Sequence, residues 1–155
     1  GTDNIMQAAA AQTPKPVVLA VSSLAATGPR KTLSKPVEAD AVQPVSPYGV
    51  SKAESEHALR AYADKLEISV IRPPMVIGAG DSGTLPLFKG AKSGLHVGAY
   101  KGQVFSFVYV KDLARLMVEI VNRGERMTKE DKGDGQGIYF RCLKISGGNG
   151  MSMKY

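Results

Sequence analysis

Tyr48 and Lys52 are the two residues whose types and spacing most directly indicate chemistry. Pro47 marks a turn just before the tyrosine, and the residues after it favour a helix. Because residues four apart lie on the same face of a helix, the phenol and the ammonium group would share one small volume. A cation beside a phenol lowers a tyrosine pKa that is ordinarily about 10. The pair is therefore a candidate for general acid–base catalysis on a hydroxyl or carbonyl group, although the same spacing also suits an ordinary surface helix.

Two apolar segments on either side of this helix are predicted strands. They are Val17–Val21 and Ile68–Ile71, and such runs are typical of strands covered on both faces by helices. Strand, helix and strand in this order predict a βαβ unit with two parallel strands. The helix is predicted to reach about Leu66 and to bury one stripe, formed by Val50, Ala53, His57, Ala61 and Tyr62. His57 is accordingly interpreted as a packed histidine, and no metal site is predicted.

The carboxyl ends of the two strands are where this unit is expected to bind a ligand. Ser23 follows the first strand, and the segment Arg72–Val76 follows the second. The helix that carries Tyr48 starts from the same edge of the sheet. Three segments are therefore predicted to point at one crevice. Arg72 itself is interpreted as a strand-end arginine paired with a nearby acid, rather than as a catalytic group.

The rest of the chain is predicted to extend the same α/β domain over residues 1–145, followed by a tail over residues 146–155. The segment between Leu24 and Pro47 has no periodicity and is predicted to be a long loop. Further predicted helices cover Gly1–Ala11, Leu85–Lys92 and Leu113–Val121, the last with Asp112 as its N-cap, and further predicted strands cover Phe105–Val110 and Ile138–Leu143.

Composition places the chain among globular proteins and argues against several functions. It has 155 residues, of which 43% are hydrophobic and 22% are charged. The net charge of +6 comes from scattered basic residues without Lys/Arg runs, so nucleic-acid binding is not expected. No apolar run approaches the length of a membrane span. Cys142 is the single cysteine, which excludes an internal disulfide and favours a reducing compartment, the cytoplasm or the interior of an organelle.

Taken in order, these motifs resemble the extended short-chain dehydrogenases/reductases, also called the NAD-dependent epimerase/dehydratase family. Gly1-Thr2-x-Asn4 before a run of alanines is similar to the family's fourth helix. Val21-Ser22-Ser23 with Gly28 is similar to the end of its catalytic-serine strand, and Tyr48 follows Ser23 by 25 residues, a spacing typical of the family. Arg72-Pro73 with Gly78 and Gly80 resembles the segment that meets the nicotinamide, and Phe107-Val108-x-Val110-x-Asp112-Leu113-Ala114 resembles a late strand-to-helix motif.

The resemblance implies a Rossmann-like three-layer α/β/α fold with a parallel sheet, and NAD or NADP as the cofactor. It implies that Ser23 hydrogen-bonds the reacting oxygen of the substrate and that Tyr48 is the acid/base. Lys52 would hold the nicotinamide ribose hydroxyls, while Pro74 and Val76 would border the nicotinamide. For Ser23, a purely structural role at a strand end stays open. The resemblance also implies a possible homodimer through helices 1–11 and 49–66.

Met75 is a departure from the family pattern with consequences for the substrate. Sugar-nucleotide epimerases usually carry asparagine at this position, three residues after the arginine, and methionine cannot replace its hydrogen bonds. The expected substrate is therefore a small, less polar alcohol or ketone, oxidised, reduced, epimerised or dehydrated at a hydroxyl or keto carbon. A non-catalytic scaffold or interaction subunit that retains the fold is the alternative.

The glycine-rich fingerprint that binds the cofactor pyrophosphate is the second departure, because these residues do not contain it. In the family it precedes the segment that Gly1 begins. The chain is thus expected to represent the later half of a Rossmann-like domain, the C-terminal portion of a longer protein. By itself it is expected to bind NAD(P) weakly or not at all.

Overall fold

Helices and strands alternate along most of the chain in the computed structural model, which describes residues 1–29, 41–94, 106–130 and 137–140. The elements are α1 (Thr2–Ala10), β1 (Val18–Val21), a 3₁₀ helix (Leu24–Ala26), α2 (Pro47–Arg60), β2 (Ile68–Arg72), β3 (Met75–Ile77), α3 (Leu85–Lys92), β4 (Phe107–Tyr109), α4 (Val110–Arg123) and β5 (Ile138–Phe140). The predicted tail, residues 146–155, and Cys142 lie outside the described residues.

Within the part of the chain that the structure describes, the main sheet has three parallel strands in the order β1-β2-β5. Val18 is aligned with Ile68, and Val70 is aligned with Ile138. The predicted parallel pair of β1 and β2 is therefore confirmed. Because strands joined through a helix have their carboxyl ends at the same edge, Ser23 and Pro73 leave the sheet side by side.

Among the described residues, two apolar clusters lie on opposite faces of this sheet, which gives the predicted three layers. Alternate residues of the strands point to each face. On one face Ile68 and Val70 pack with Met6 of α1 and Leu59 of α2. On the other, Ile71 packs with residues of α4, including Leu113 and Ile120. The parallel-sheet, Rossmann-like α/β class predicted from the sequence is confirmed.

A second, two-stranded sheet follows the main one and was not predicted. Met75–Ile77 forms β3, which runs parallel to β4, with Val76 aligned with Val108. Pro73 and Pro74 lack backbone donors and end β2, but the apolar residues after them are free to pair elsewhere. The expectation of a stiff segment leading into a glycine turn was incomplete for this reason.

The extent and the buried face of α2 differ from the prediction. The helix ends at Arg60, and Leu66 then donates a backbone hydrogen bond to Tyr62 within a turn. The predicted stripe was wrong at Val50, which is 40% exposed, and at His57, which is also exposed. Tyr62, by contrast, is half-buried and packs against the apolar cluster as predicted. The buried residues of the helix are Gly49, Glu56 and Leu59. A glutamate is accommodated on this face because it is paired with a buried arginine.

Asp112 is not the N-cap of α4, contrary to the prediction. The helix begins at Val110 with Tyr109 as its N-cap, so Asp112 lies inside the first turn. A carboxylate in that turn still interacts favourably with the helix dipole. Among the described residues, no helix combines the length and apolar character that crossing a membrane requires.

Candidate active site

The first turn of α2 presents Tyr48 and Lys52. Ser46 is the N-cap, and its hydroxyl oxygen accepts a hydrogen bond of 3.0 Å from the Gly49 amide, while Pro47 occupies the first helical turn. Tyr48 therefore lies near the start of the helix, and it is 57% exposed. The Lys52 Nζ is 5.8 Å from the centroid of the Tyr48 ring, within cation–π distance. The phenol and the ammonium group thus occupy neighbouring space.

Lys52 also connects α2 to the end of β1. Its Nζ donates a hydrogen bond of 3.1 Å to the backbone carbonyl of Val21, the last residue of the strand. This carbonyl belongs to a residue only two positions before Ser23. The ammonium group is therefore held between the strand end and the tyrosine ring.

Gly49 allows α2 to approach the 3₁₀ helix closely. A Cβ atom at this position would lie 2.4 Å from the carbonyl oxygen of Ala25, a distance that side chains do not tolerate. Since the obstacle is a backbone atom, no side-chain movement relieves the clash. The glycine immediately after Tyr48 is thus what brings the tyrosine's turn of helix against the segment that follows Ser23.

Ser23 has a structural contact in addition to its predicted catalytic position. It follows β1 in an extended conformation, and its hydroxyl oxygen accepts a hydrogen bond of 3.2 Å from the Ala25 amide, which caps the 3₁₀ helix. A serine hydroxyl has two acceptor lone pairs and one proton to donate. The cap uses one lone pair, so the proton can still be donated to a ligand.

A groove of about 520 Å³ lies at the carboxyl edge of the sheet. Ser23, Pro74 and Met75, all predicted site residues, line it together with Ser46. The other lining residues are Leu24, Ala25, Gly28, Pro29, Val45, Pro73 and Ser106. Two of the three segments predicted to converge at this edge line the groove, and the third approaches it through Val45 and Ser46, which directly precede α2.

Three predicted site residues are placed beside the groove rather than among its lining residues. Tyr48 follows the lining residue Ser46 by two positions, and Lys52 lies one turn further along α2. Val76 is half-buried in β3 and packs against the cluster that contains Val108. The roles assigned to these residues stay predictions.

Three buried polar side chains, those of Ser22, Glu56 and Arg72, contact one another next to the site, and the sequence did not predict them as a group. Arg72 and Glu56 form an ion pair whose side chains are 2% and 8% exposed. The hydroxyl of Ser22, which is also buried, donates a hydrogen bond to the Glu56 carboxylate. The interpretation of Arg72 as a paired strand-end arginine is confirmed. Glu56 continues the spacing of Tyr48 and Lys52 by another four residues, and this spacing is the signal that could have identified it.

Metal ligation finds no support in the residues that the structure describes, which contain no group of three or more His, Cys, Asp or Glu side chains able to hold a metal ion. The polar atoms of the candidate site are instead hydroxyl groups, one ammonium group and backbone carbonyls. Such atoms suit hydrogen bonding to hydroxyl or carbonyl oxygens and proton exchange with them.

Comparison with solved structures shows the same fold in larger proteins. The dTDP-glucose 4,6-dehydratase of Bacillus anthracis, in complex with NAD, is 20% identical over 91% of this chain and 44% of its own, with a TM-score of 0.74. The UDP-glucuronic acid 4-epimerase of Bacillus cereus, in complex with UDP-glucuronic acid and NAD, is 21% identical over 92% of this chain and 45% of its own, with a TM-score of 0.71. The UDP-glucose 4-epimerase of Thermus thermophilus, in complex with NAD, is 24% identical over 92% and 47%, with a TM-score of 0.70.

The chain therefore spans less than half the length of these solved structures. None of the curated proteins matches it significantly. The sequence model of the NAD dependent epimerase/dehydratase family, however, matches residues 1–132 out of 155. That match includes β1, β2, α2 and all of the residues that line the groove. The chain belongs to the NAD-dependent epimerase/dehydratase family.

Proposed function

We propose that this chain carries the catalytic group of an NAD(P)-dependent enzyme that acts on a hydroxyl or keto carbon of a small molecule. The observation that carries the proposal is the Tyr48–Lys52 pair, with the ammonium group 5.8 Å from the ring and bonded to the strand end beside Ser23. Tyr48 is the acid/base, and its exposure leaves the phenol accessible to a substrate. Ser23 donates a hydrogen bond to the reacting oxygen, which orients it toward the phenol.

The residues at the carboxyl edge suit the nicotinamide half of the cofactor. The groove of about 520 Å³ lies within the range of small-molecule sites, and Pro74 on its wall offers a flat apolar surface to a ring. Lys52 would hold the ribose hydroxyls through its remaining donors, and Pro74 and Val76 would border the ring. When bound, the cofactor accepts or supplies the hydride, and the protein's contribution is position and charge. Each of the three neighbouring structures described above contains NAD.

The proposed substrate is a less polar alcohol or ketone rather than a sugar nucleotide. Met75 lines the groove and is 38% exposed, so its thioether side chain is available for contact. Leu24, Val45 and Pro74 add apolar surface to the same wall. An apolar wall favours an apolar substituent beside the reacting carbon, because a sugar hydroxyl placed there would lose its hydrogen bonds to water.

Turnover of the full-length protein tests the proposal. Oxidation or reduction is followed by nicotinamide absorbance with acetophenone and its alcohol as apolar probes, and epimerisation is followed with UDP-glucose. Tyr48→Phe should lower kcat by about 100- to 10,000-fold, the usual contribution of a general acid–base group. Tyr62→Phe is the matched control. The Tyr62 hydroxyl donates a hydrogen bond of 2.5 Å to Asp3 Oδ1, and neither residue lines the groove. Equal turnover by wild type and Tyr48→Phe would exclude Tyr48 as the acid/base, and no turnover by the wild type would indicate a non-catalytic protein.

We also propose that the protein forms a homodimer through α1 and α2. The two helices pack together through Met6 and Leu59, while Ile5 and Val50 are 64% and 40% exposed. Exposed apolar side chains next to alanines permit close helix packing. Light scattering should show a dimer that Ile5→Glu dissociates, whereas Val118→Glu, a change at an exposed residue of α4, should leave it intact. A monomeric wild type would exclude this assembly.

A further inference from the structure

We infer that the buried side chains of Ser22, Glu56 and Arg72, here called the buried triad, position the three segments of the candidate active site relative to one another. The inference rests on the proposed function, in which Ser23, Tyr48 and Lys52 act together. The three side chains are positioning residues, because a buried group beneath the groove acts through its neighbours rather than on a substrate.

Each member of the buried triad is adjacent in the chain to one part of the site. Ser22 directly precedes Ser23, and Arg72 directly precedes the Pro73–Met75 segment that lines the groove. Glu56 lies one helical turn after Lys52 and two turns after Tyr48, on the same face of α2. Contacts among these three side chains therefore connect all three segments.

The contacts specify orientation as well as distance. Arg72 Nε lies 2.9 Å and 3.1 Å from the two carboxylate oxygens of Glu56, and its Nη2 lies 2.5 Å from Oε2. A planar guanidinium group that engages both oxygens of a carboxylate fixes the plane and the separation of the two groups. The Ser22 hydroxyl donates to Oε1 of the same carboxylate, so the strand end is included in the arrangement.

Backbone hydrogen bonds fix the two strand ends to each other, and among the described residues none of them joins either strand end to α2. The Ser22 amide donates to the Ile71 carbonyl at 2.8 Å, and the Leu24 amide donates to the Pro73 carbonyl at 3.0 Å. The helix joins this frame through side chains, namely Glu56 in the interior and Lys52 nearer the surface. Glu56 is thus the buried polar link that sets the position of α2 above the strand ends.

Stability alone is a weak reason for a buried ion pair. Removing two charges from water costs about as much as their attraction returns, and well-packed apolar residues of similar volume are often as stable or more stable. The adjacent apolar cluster, which includes Leu59, Ile68 and Val70, already packs α2 against the sheet. Apolar replacement of the whole triad therefore separates a positioning role from a stabilising one.

The decisive variant is Ser22→Ala/Glu56→Leu/Arg72→Met in the full-length protein. We expect its urea midpoint to equal or exceed that of the wild type, while kcat falls about 100-fold, the effect of a displacement of about 1 Å. KM for NAD should change much less than kcat, since the ribose contact through Lys52 is retained. The matched control is Glu119→Leu/Arg123→Met, which removes an exposed ion pair of α4 and should leave both kcat and KM unchanged. A folded triple variant with wild-type kcat would overturn the inference.

Arg72→Lys provides a second test if the triple variant does not fold. Lysine keeps the positive charge but cannot reproduce the planar two-point contact with the carboxylate. We expect a folded protein whose kcat falls about 10-fold or more, as misplacement of catalytic groups predicts. Wild-type kcat in Arg72→Lys would show that the orientation of the pair is irrelevant to the site.

Hydrogen exchange decides the inference even if the proposed function fails. Absence of NAD-dependent turnover in the wild type, with either probe class, would contradict the proposed function alone. The amides of Leu24–Ala26 and Val50–Lys52 should exchange faster in Arg72→Lys than in the wild type, with those of Ile68–Ile71 unchanged. Equal exchange at all of these amides would show that the triad does not hold the segments.

Discussion

The two ends of the main sheet hold their charged residues in different ways. At the carboxyl end, Arg72 and Glu56 are paired with side chains only 2% and 8% exposed. Near the amino end, where β2 begins, Lys129 and Asp64 lie 3.3 Å apart with side chains 65% and 45% exposed. Water and salt screen the second pair and not the first. The difference indicates that the buried pair at the carboxyl end can fix the orientation of its two side chains. The exposed pair at the amino end interacts mainly with water.

The cavities at the two ends repeat this contrast. The groove at the carboxyl end, of about 520 Å³, is lined mainly by serine, proline and apolar side chains. The hollow at the amino end, of about 350 Å³, is lined by residues of both charges, including Lys15, Asp64 and Glu67. At the carboxyl end, by contrast, the buried Ser22 and Arg72 contact Glu56, and each directly precedes in the chain a residue that lines the groove.

The largest effect on stability is expected from breaking the buried pair on one side only. Glu56→Leu leaves the Arg72 guanidinium group buried without its carboxylate, and such changes typically cost about 3–5 kcal/mol. Urea denaturation of the variant and the wild type measures the difference in the free energy of unfolding. A loss below about 1 kcal/mol, the range of exposed pairs, would remove the distinction between the two ends of the sheet.

Gly49→Ala is expected to have the next largest effect. The new methyl group would lie 2.4 Å from the Ala25 carbonyl oxygen, so α2 and the 3₁₀ helix must separate. Overpacking of this kind costs about 1–3 kcal/mol, which exceeds the gain of about 1 kcal/mol from placing alanine rather than glycine in a helix. A more stable Gly49→Ala variant would mean that the helix does not approach this closely.

Local signals in the sequence predicted most of the frame and part of the site. Continuous apolar runs identified β1 and β2, and Pro47 before Tyr48 identified the start of α2. The convergence of Ser23 and Pro74 at one edge followed from the parallel order of these elements. Glu56 was not identified as buried, because a helical glutamate ordinarily faces water and only its distant partners, Ser22 and Arg72, make burial favourable. Pairing of β3 with β4 was missed for a similar reason, since it joins segments about 30 residues apart.

Ser46→Ala tests the N-cap of α2 at the carboxyl end of the sheet, and its effect on stability should be smaller than that of Gly49→Ala. The serine hydroxyl accepts the Gly49 amide at 3.0 Å, and loss of an N-cap costs about 1 kcal/mol. Urea denaturation should show this loss, and Ser46→Asp should restore most of it because aspartate is an equally good cap. Ser55→Ala is the control, since its hydroxyl donates to a carbonyl in the middle of the same helix. Equal stability of Ser46→Ala and the wild type would show that the first turn of α2 does not depend on the cap.

The smallest effect is expected from Asp64→Asn at the amino end of the sheet. The hydrogen bond from Lys129 holds the pKa of the Asp64 carboxyl below its ordinary value of 3.8. A carboxyl with a lowered pKa in the folded state stabilises the protein above its unfolded-state pKa, and this contribution disappears as the pH falls through the folded-state value. Wild type should therefore be slightly more stable than Asp64→Asn at pH 7, and the two should converge in acid, once the pH falls below the lowered folded-state pKa of Asp64. Urea denaturation of both proteins at pH 7 and in acid measures the difference in their free energy of unfolding.

Repeating the measurement at low and high salt compares the two ends of the sheet. Because the Lys129–Asp64 pair is exposed, high salt should remove the difference at pH 7, whereas the effect of Glu56→Leu should persist. A difference at pH 7 that resists salt and rivals that of Glu56→Leu would mean that the two ends of the sheet hold charge in the same way.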